Sequence, residues 1–169
     1  MYSYFNVGFS NASFFPDYRL GFSLYRNLPK SFEAEVGIRY LKFNSPTIIY
    51  TGSIGKYYSN FWFSLRPYLI PGNEGLSRSL SLITRYYLKG GSDNYLTLTV
   101  GSGISPDQFT RNINLEAPNV SSQNIRLGFQ HLFLKRYIFS TGVGYRNDEF
   151  RKGSFRENYN FNTSLEMFF

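Results

Sequence analysis

The final stretch of the chain, residues 158–169, reads NYNFNTSLEMFF and alternates between two kinds of side chain. One set is largely apolar and comprises Tyr159, Phe161, Thr163, Leu165, Met167 and Phe169. The other set is polar except for Phe168 and comprises Asn160, Asn162, Ser164 and Glu166. Successive Cβ atoms of a strand point to opposite faces, so a period of two predicts a β-strand with one apolar and one polar face.

The same two-faced pattern recurs along the chain and predicts ten strands. Their bounds are Tyr2–Asn11, Tyr18–Leu28, Phe32–Phe43, Thr47–Tyr58, Phe61–Ile70, Leu76–Leu88, Asn94–Ser105, Ser122–Leu134, Arg136–Arg146 and Asn158–Phe169. A tilted strand of about ten residues crosses the hydrocarbon layer of a membrane. No stretch has the i, i+3, i+4 pattern of an amphipathic helix, and none approaches the roughly 18 consecutive apolar residues of a transmembrane helix.

The composition agrees with a barrel whose outer face meets lipid. Aromatic residues make up 20% of the chain, yet the hydrophobic share is 42% and the mean hydropathy is −0.30. A membrane barrel needs this mixture, because apolar lipid-facing residues alternate with polar lumen-facing ones. The sequence therefore predicts an all-β fold, an antiparallel up-and-down transmembrane β-barrel with about ten strands in one domain over residues 1–169. Aromatic girdles at the membrane surfaces are expected from Tyr40, Tyr58, Phe61, Phe133 and Tyr137.

The predicted connections differ in length between the two ends of the barrel. The connections after strands two, four, six and eight are short, namely Pro29–Ser31, Ser59–Asn60, Lys89–Asp93 and Lys135. At the other end only Asn44–Pro46 is brief, Ala12–Asp17 and Pro71–Gly75 are intermediate, and Pro106–Ser121 and Asn147–Arg156 are long. Bacterial barrels have short periplasmic turns and longer outer loops. We therefore expect the two long loops to be surface contact sites.

The charged residues are spread along the strands. The net charge is +7, but Lys and Arg do not gather in the single patch that a nucleic-acid site needs. An Arg or Lys facing mid-membrane lipid costs roughly 2–4 kcal/mol, so charges on the polar faces are expected to face the lumen. Mutual neutralisation by salt bridges is the simplest role for them, and a substrate-binding group of Arg39, Arg66 and Arg85 is the alternative. The predicted lumen-facing set is Glu33, Glu35, Arg39, Arg66, Arg85, Arg126 and Glu166.

The sequence offers little for catalysis. Nucleophilic catalysis needs a base beside the nucleophile, and the only histidine, His131, lies on the apolar register, where pairing across Lys135 places Phe139 opposite it. No G-x-S-x-G motif of a lipid hydrolase occurs. Cysteine is absent, and nothing adjacent to Glu33 and Glu35 completes a set of metal ligands. We expect no enzymatic activity, no metal and no cofactor.

Several segments resemble the YaiO-type outer-membrane β-barrel family. They are RLGFSLYRNLPKSFEAEVGIRYLKF (19–43), IYTGSIGKYYSNFWFSLRPYLIP (49–71), SLSLITRYYL (79–88) and DNYLTLTVGSGISPDQ (93–108). The terminal strand is similar to the C-terminal assembly signal of bacterial outer-membrane barrels, carried here by Phe161, Leu165, Met167 and Phe169.

The resemblance implies a Gram-negative outer-membrane protein in contact with outer-membrane lipid and lipopolysaccharide. It also implies that the barrel-assembly machinery reads the C-terminal strand. Members of the family tend to carry further strands before the position of Met1, and some relatives carry helical repeats there. No signal peptide opens the chain. We therefore expect an N-terminally truncated part of a longer protein. The family implies no settled activity.

Three functions remain open. The favoured one is a non-enzymatic outer-membrane barrel that is a structural or accessory component of a surface or export system. The second is a narrow, porin-like pore for small solutes, although eight-stranded barrels are already filled by side chains and open channels arise nearer sixteen strands. The third is a soluble ligand carrier with the faces inverted, apolar inside and polar outside.

Overall fold

The computed structural model describes residues 1–11, 15–43, 45–72, 75–89, 91–103, 122–151 and 153–168. Ten strands form one sheet in which each strand pairs antiparallel with the next, in the order β1 to β10. The predicted all-β, antiparallel, up-and-down architecture is confirmed. Within the described residues no helix is long and apolar enough to span a membrane. The strands are β1 (Tyr2–Phe9), β2 (Tyr18–Leu28), β3 (Phe32–Lys42), β4 (Pro46–Tyr58), β5 (Phe61–Gly72), β6 (Gly75–Tyr87), β7 (Tyr95–Ser102), β8 (Ser122–Phe133), β9 (Tyr137–Arg151) and β10 (Ser154–Met167).

Short connections join the strands at one end of the sheet, which we call the turn end. It holds the β2–β3, β4–β5, β6–β7 and β8–β9 connections, and the opposite end is the loop end. Lys30 and Ser31 both have φ near 60°, and Leu134 and Lys135 have φ of 51° and 55°. Consecutive residues with positive φ match the right-handed twist of the flanking strands, so such turns connect hairpins without splaying them.

The pairing register separates two continuous faces. Glu35 of β3 lies opposite Tyr25 of β2 and Ser53 of β4, while its neighbour Val36 lies opposite Leu24 and Gly52. A slip of one residue would exchange the faces of a whole strand, so this register keeps polar and apolar sets apart.

The polar face is the inside of the curled sheet. One cavity on it is lined by Tyr4 of β1 together with Tyr68 of β5, and another by Tyr68 together with Asn160 of β10. Strands that are not neighbours thus meet across this face. We call it the inner face, and the apolar side is the outer face.

The outer face leaves large apolar side chains uncovered. Val36 is 64% exposed, Ile54 61% and Val143 52%, each in the middle of its strand. A continuous apolar surface of this extent suits lipid and would be a liability in water. A soluble carrier needs apolar side chains inside and polar side chains outside, so the hypothesis of a soluble carrier is wrong.

A small apolar cluster fills part of the inner face at the loop end. Leu41, Ile49 and Ile70 are buried there, with Phe43 and Tyr68 packed against them. Full burial of an aliphatic side chain contributes about 1.5–3 kcal/mol. The cluster therefore stabilises the β3–β5 part of the sheet from inside.

The predicted charged loop Asn147–Arg156 is wrong, because most of it is strand. Pairing of β9 with β10 continues to Arg151 opposite Ser154, with a register shift beside Ser154. Polar contacts replace apolar packing here, since the Asp148 carboxylate accepts hydrogen bonds from Ser122 Oγ at 2.6 Å and from Asn158 Nδ2 at 3.2 Å. Charged residues at the membrane edge can occupy both faces, so no alternation marks this strand in the sequence.

The predicted loop Pro71–Gly75 is also too long. β5 extends to Gly72 and β6 begins at Gly75, with Pro71 opposite Leu76. Two connections at the loop end, residues 73–74 and 152–153, are therefore as short as any at the turn end. The expected contrast in length rests on residues 10–17 and 103–121 alone. The predicted contact loop Pro106–Ser121 lies outside the described residues.

Candidate functional site on the inner face

The register places all seven predicted lumen-facing residues on the inner face. They do not form one group. Glu35, Arg39 and Arg66 come together, whereas Arg85 and Arg126 have separate surroundings. Glu33 accepts a hydrogen bond from Tyr2 OH at 2.9 Å, and Glu166 lies opposite Ile138 on the exposed β10.

Glu35 is the centre of a polar network that ties four strands together. Its side chain is fully buried, and it accepts hydrogen bonds from Ser23 Oγ at 2.7 Å and Ser53 Oγ at 3.1 Å. Arg66 Nη2 donates to the second carboxylate oxygen, and Arg39 Nη2 lies 3.7 Å from the first. A buried carboxylate is tolerated only when it is paired and hydrogen-bonded. These contacts meet that condition.

Arg39 extends the network toward the backbone. Its guanidinium donates to the carbonyl oxygens of Phe22 at 2.7 Å and Ile38 at 3.0 Å, and to Ser23 Oγ at 2.7 Å. Both terminal nitrogens of Arg39 thus donate to groups within the protein. The alternation pattern identified the charged residues, but Ser23 and Ser53 join the site only through the cross-strand register.

Arg85 lies in a cage of aromatic rings near the turn end. Its guanidinium carbon is 4.1 Å from the centroid of the Tyr95 ring, 5.3 Å from that of Trp62 and 5.9 Å from that of Tyr87. A cation over an aromatic face is stabilised by the ring quadrupole, by about 2 kcal/mol where water is excluded. Arg85 is separate from Arg39 and Arg66, so the three arginines do not form the single group considered from the sequence.

Arg126 borders two cavities of the inner face, one of about 480 Å³, which we call the larger inner cavity, and one of about 360 Å³. Arg126 makes no hydrogen bond or ion pair with any residue that the structure describes. Side chains from β5 to β10 line the larger inner cavity, among them Arg66, Tyr68, Asn124, Arg146, Asn158 and Asn160. Sequence reasoning assigned Arg126 to the lumen but missed the asparagines, which the two-residue period alone did not distinguish from generic polar lining.

A smaller inner cavity, of about 150 Å³, lies toward β1 and includes Tyr4, Arg19 and Arg39 in its lining. Arg66 and Tyr68 line both this cavity and the larger inner cavity. These two side chains therefore stand between the two spaces.

Aromatic contacts cluster on the outer face near the turn end. The rings of Phe61 and Tyr86 are 4.8 Å apart, and those of Phe133 and Tyr137 are 5.4 Å apart and nearly parallel. Lys56 Nζ lies 4.6 Å from the centroid of the Phe32 ring. Aromatic rings with a nearby cation are typical of the membrane–water boundary.

His131 lies among aromatic residues. It lies on the outer face opposite Phe139, as the sequence predicted, and its ring stacks beside that of Phe129 with centroids 6.2 Å apart. Among the described residues no three His, Asp or Glu side chains gather where they could hold a metal ion.

The C-terminal strand presents its apolar residues outward. Phe161 is 71% exposed, Leu165 63% and Met167 45%. Phe169, the last residue of the predicted assembly signal, lies outside the described residues.

Residues 1–108 match the family model described as the YaiO membrane beta barrel domain. The chain belongs to the YaiO membrane β-barrel family. The match covers β1 to β7 and includes the segments whose resemblance was noted above, so that assignment is confirmed. In this YaiO barrel β8 to β10, which lie beyond the matched residues, continue the same antiparallel pairing of neighbouring strands. Searches of curated proteins and of solved structures found no match to the chain.

Proposed function

We propose that this YaiO-family barrel is a non-catalytic protein of the bacterial outer membrane and a structural or accessory component of a surface or export system. The observation that carries the proposal is how the inner charges are arranged. Glu35 is neutralised by Arg39 and Arg66, and Arg85 is held by aromatic rings. Such contacts stabilise a barrel wall, whereas catalysis requires a nucleophile and base directed at a substrate.

The outer face supports the proposed partners. Its exposed apolar band would contact outer-membrane lipid, and the charged residues near the loop end, such as Lys42 and Glu149, would meet the lipopolysaccharide headgroups. The outward Phe161, Leu165 and Met167 of β10 suit recognition by the barrel-assembly machinery. We propose no nucleic-acid partner, since the arginines of the inner face are divided between separate surroundings.

Topology in cells provides the test. The chain has no cysteine, so a single introduced cysteine is a unique label. Asn11 and Asn60 are exposed residues at the loop end and the turn end. In intact Gram-negative cells we expect a membrane-impermeant maleimide to label Asn11→Cys, and to label Asn60→Cys only after the outer membrane is permeabilised. Labelling of neither variant in intact cells, or of both equally, would contradict the proposed location and orientation.

A narrow pore is the second candidate, and the cavities along the inner face favour it. Conductance of the refolded chain in planar bilayers separates the two roles. Discrete single-channel steps would support the pore. A silent bilayer containing correctly folded protein would support the structural or accessory role.

A further inference from the structure

The larger inner cavity has the chemistry of a binding site for a small anionic saccharide. We propose that it binds a sugar phosphate, with Arg126 contacting the anionic group and the asparagines of β8 and β10 contacting the ring hydroxyls. The inference rests on the family assignment and the inner cavity. It does not depend on the proposed role in a surface or export system.

The volume suits a ligand of this size. About 480 Å³ lies within the range of small-molecule pockets, roughly 300–1,000 Å³. Two glycines lie opposite asparagines of the cavity wall on the neighbouring strands. Asn124 lies over Gly101 and Asn160 over Gly144, each with amide atoms within 3.0 Å of where a Cβ would stand. A larger residue at either glycine would push the amide into the cavity.

Among the residues that the structure describes, the charges around the cavity leave one cation, Arg126, for a ligand. Arg66 is paired with Glu35, and Arg146 Nε is 2.7 Å from Asp148 Oδ2. Arg126 is the third guanidinium in the lining and is exposed to the cavity. A guanidinium presents a planar fork that matches two oxygens of a phosphate, which makes Arg126 the natural anion contact.

The remaining lining suits a hydroxylated ring. Asn124, Asn158 and Asn160 each carry both a donor and an acceptor, as hydroxyl recognition requires. Thr99 adds a hydroxyl, and Tyr68 adds an aromatic ring on which the apolar face of a sugar can lie. Inorganic phosphate would use Arg126 but not the amides, and a neutral sugar would use the amides but not Arg126.

The test is calorimetric titration of the full chain, refolded in detergent, with glucose 1-phosphate, glucose and inorganic phosphate. Heat-modifiable gel mobility and far-UV circular dichroism verify the fold of each variant first. We expect glucose 1-phosphate to bind at least about tenfold more tightly than either of its parts. Arg126→Gln should weaken its binding by about tenfold or more, since hydrogen bonds to a charged group are lost. Asn160→Ala should weaken binding of glucose 1-phosphate but not that of inorganic phosphate.

Arg78→Gln is the matched control. It makes the same change of charge on β6, but on the outer face opposite Leu69. Its affinity for glucose 1-phosphate should equal that of the unaltered chain. No binding by the folded chain, equal affinity for phosphate and glucose 1-phosphate, or equal effects of Arg126→Gln and Arg78→Gln would overturn the inference. Each of these results leaves the labelling test of outer-membrane topology unaffected.

Discussion

Glu35 shows how a single residue depends on four strands. Its carboxylate is sheltered from solvent and receives donors from β2, β4 and β5 in addition to Arg39 of its own strand. Two arginines depend on this carboxylate in turn. Breaking a buried pair by removing one partner leaves the other charge uncompensated, which is more damaging than losing an exposed pair.

Glu35→Gln should therefore lower the free energy of unfolding by about 3 kcal/mol, because Arg66 and Arg39 lose their carboxylate while the side chain keeps its size. The measurement is urea unfolding in detergent micelles, followed by gel mobility. Glu33→Gln is the control, because its hydrogen bond with Tyr2 is exposed. It should cost less than about 1 kcal/mol. Equal losses of unfolding free energy in the two variants would show that the buried Glu35 network stabilises the protein no more than the exposed Glu33–Tyr2 hydrogen bond does.

Gly37 gives a second prediction at this scale. A Cβ there would stand 2.8 Å from Ser23 Oγ and 2.9 Å from the Phe22 carbonyl oxygen, which belongs to the backbone and cannot turn aside. Gly37→Ala should destabilise the barrel by about 1–3 kcal/mol through overpacking. At Gly8 the nearest atom would be Arg19 Cβ at 3.7 Å, an ordinary contact. Gly8→Ala should be close to neutral in the same unfolding assay, and a matching loss there would count against the steric explanation.

Each strand directs alternate side chains toward lipid and toward the lumen, and this alternation belongs to the strand as a whole. β10 shows it at mid-length, where Phe161 lies opposite Val143 on the outer face and Asn162 lies opposite Gly142 on the inner face. The two positions are adjacent in the chain but meet different solvents. A charge is therefore costly at one and acceptable at the other.

Phe161→Arg should reduce the free energy of unfolding in lipid vesicles by roughly 2–4 kcal/mol, the cost of an arginine facing the membrane interior. Asn162→Arg places the same charge on the inner face and should cost less than about 1 kcal/mol. Both are measured by chemical unfolding from vesicles of one lipid composition. If Asn162→Arg proved the more damaging variant, the assignment of the two faces would be reversed.

At the scale of the whole molecule, the distribution of apolar surface requires a membrane-like solvent. Val36, Ile54 and Val143 are each more than half exposed, while the best-buried side chains include Ser23, Ser64 and Glu35. A protein stable in water has the opposite order. The sheet needs lipid or detergent on its outer face.

The chain should refold to a β-rich, heat-modifiable species in detergent and fail to do so in aqueous buffer. Detergent tails cover the outer apolar band, which water would leave exposed. Gel mobility with and without heating, alongside far-UV circular dichroism, is the measurement. Soluble, monomeric β-structure in the absence of detergent would contradict the membrane fold.

The sequence determined the strands and their faces where one side meets lipid. Alternation located all ten strands, set β2 at Tyr18–Leu28 without error and placed His131 opposite Phe139. The alternation can be recognised in the sequence because a charged side chain that faces lipid has a large free-energy cost there. Where β9 and β10 reach the membrane edge that cost disappears, and the pattern no longer separated strand from loop.

Which polar residues share a site follows from the tertiary structure. Glu35, Ser23, Ser53 and Arg66 lie on four different strands, and Arg85 meets rings from β5, β6 and β7. A period of two indicates which face of the sheet a residue occupies, but it does not indicate which residues of other strands lie beside it. Those neighbours are set by the pairing register and the curl of the sheet, which bring Arg126 to one cavity with Asn158 and Asn160.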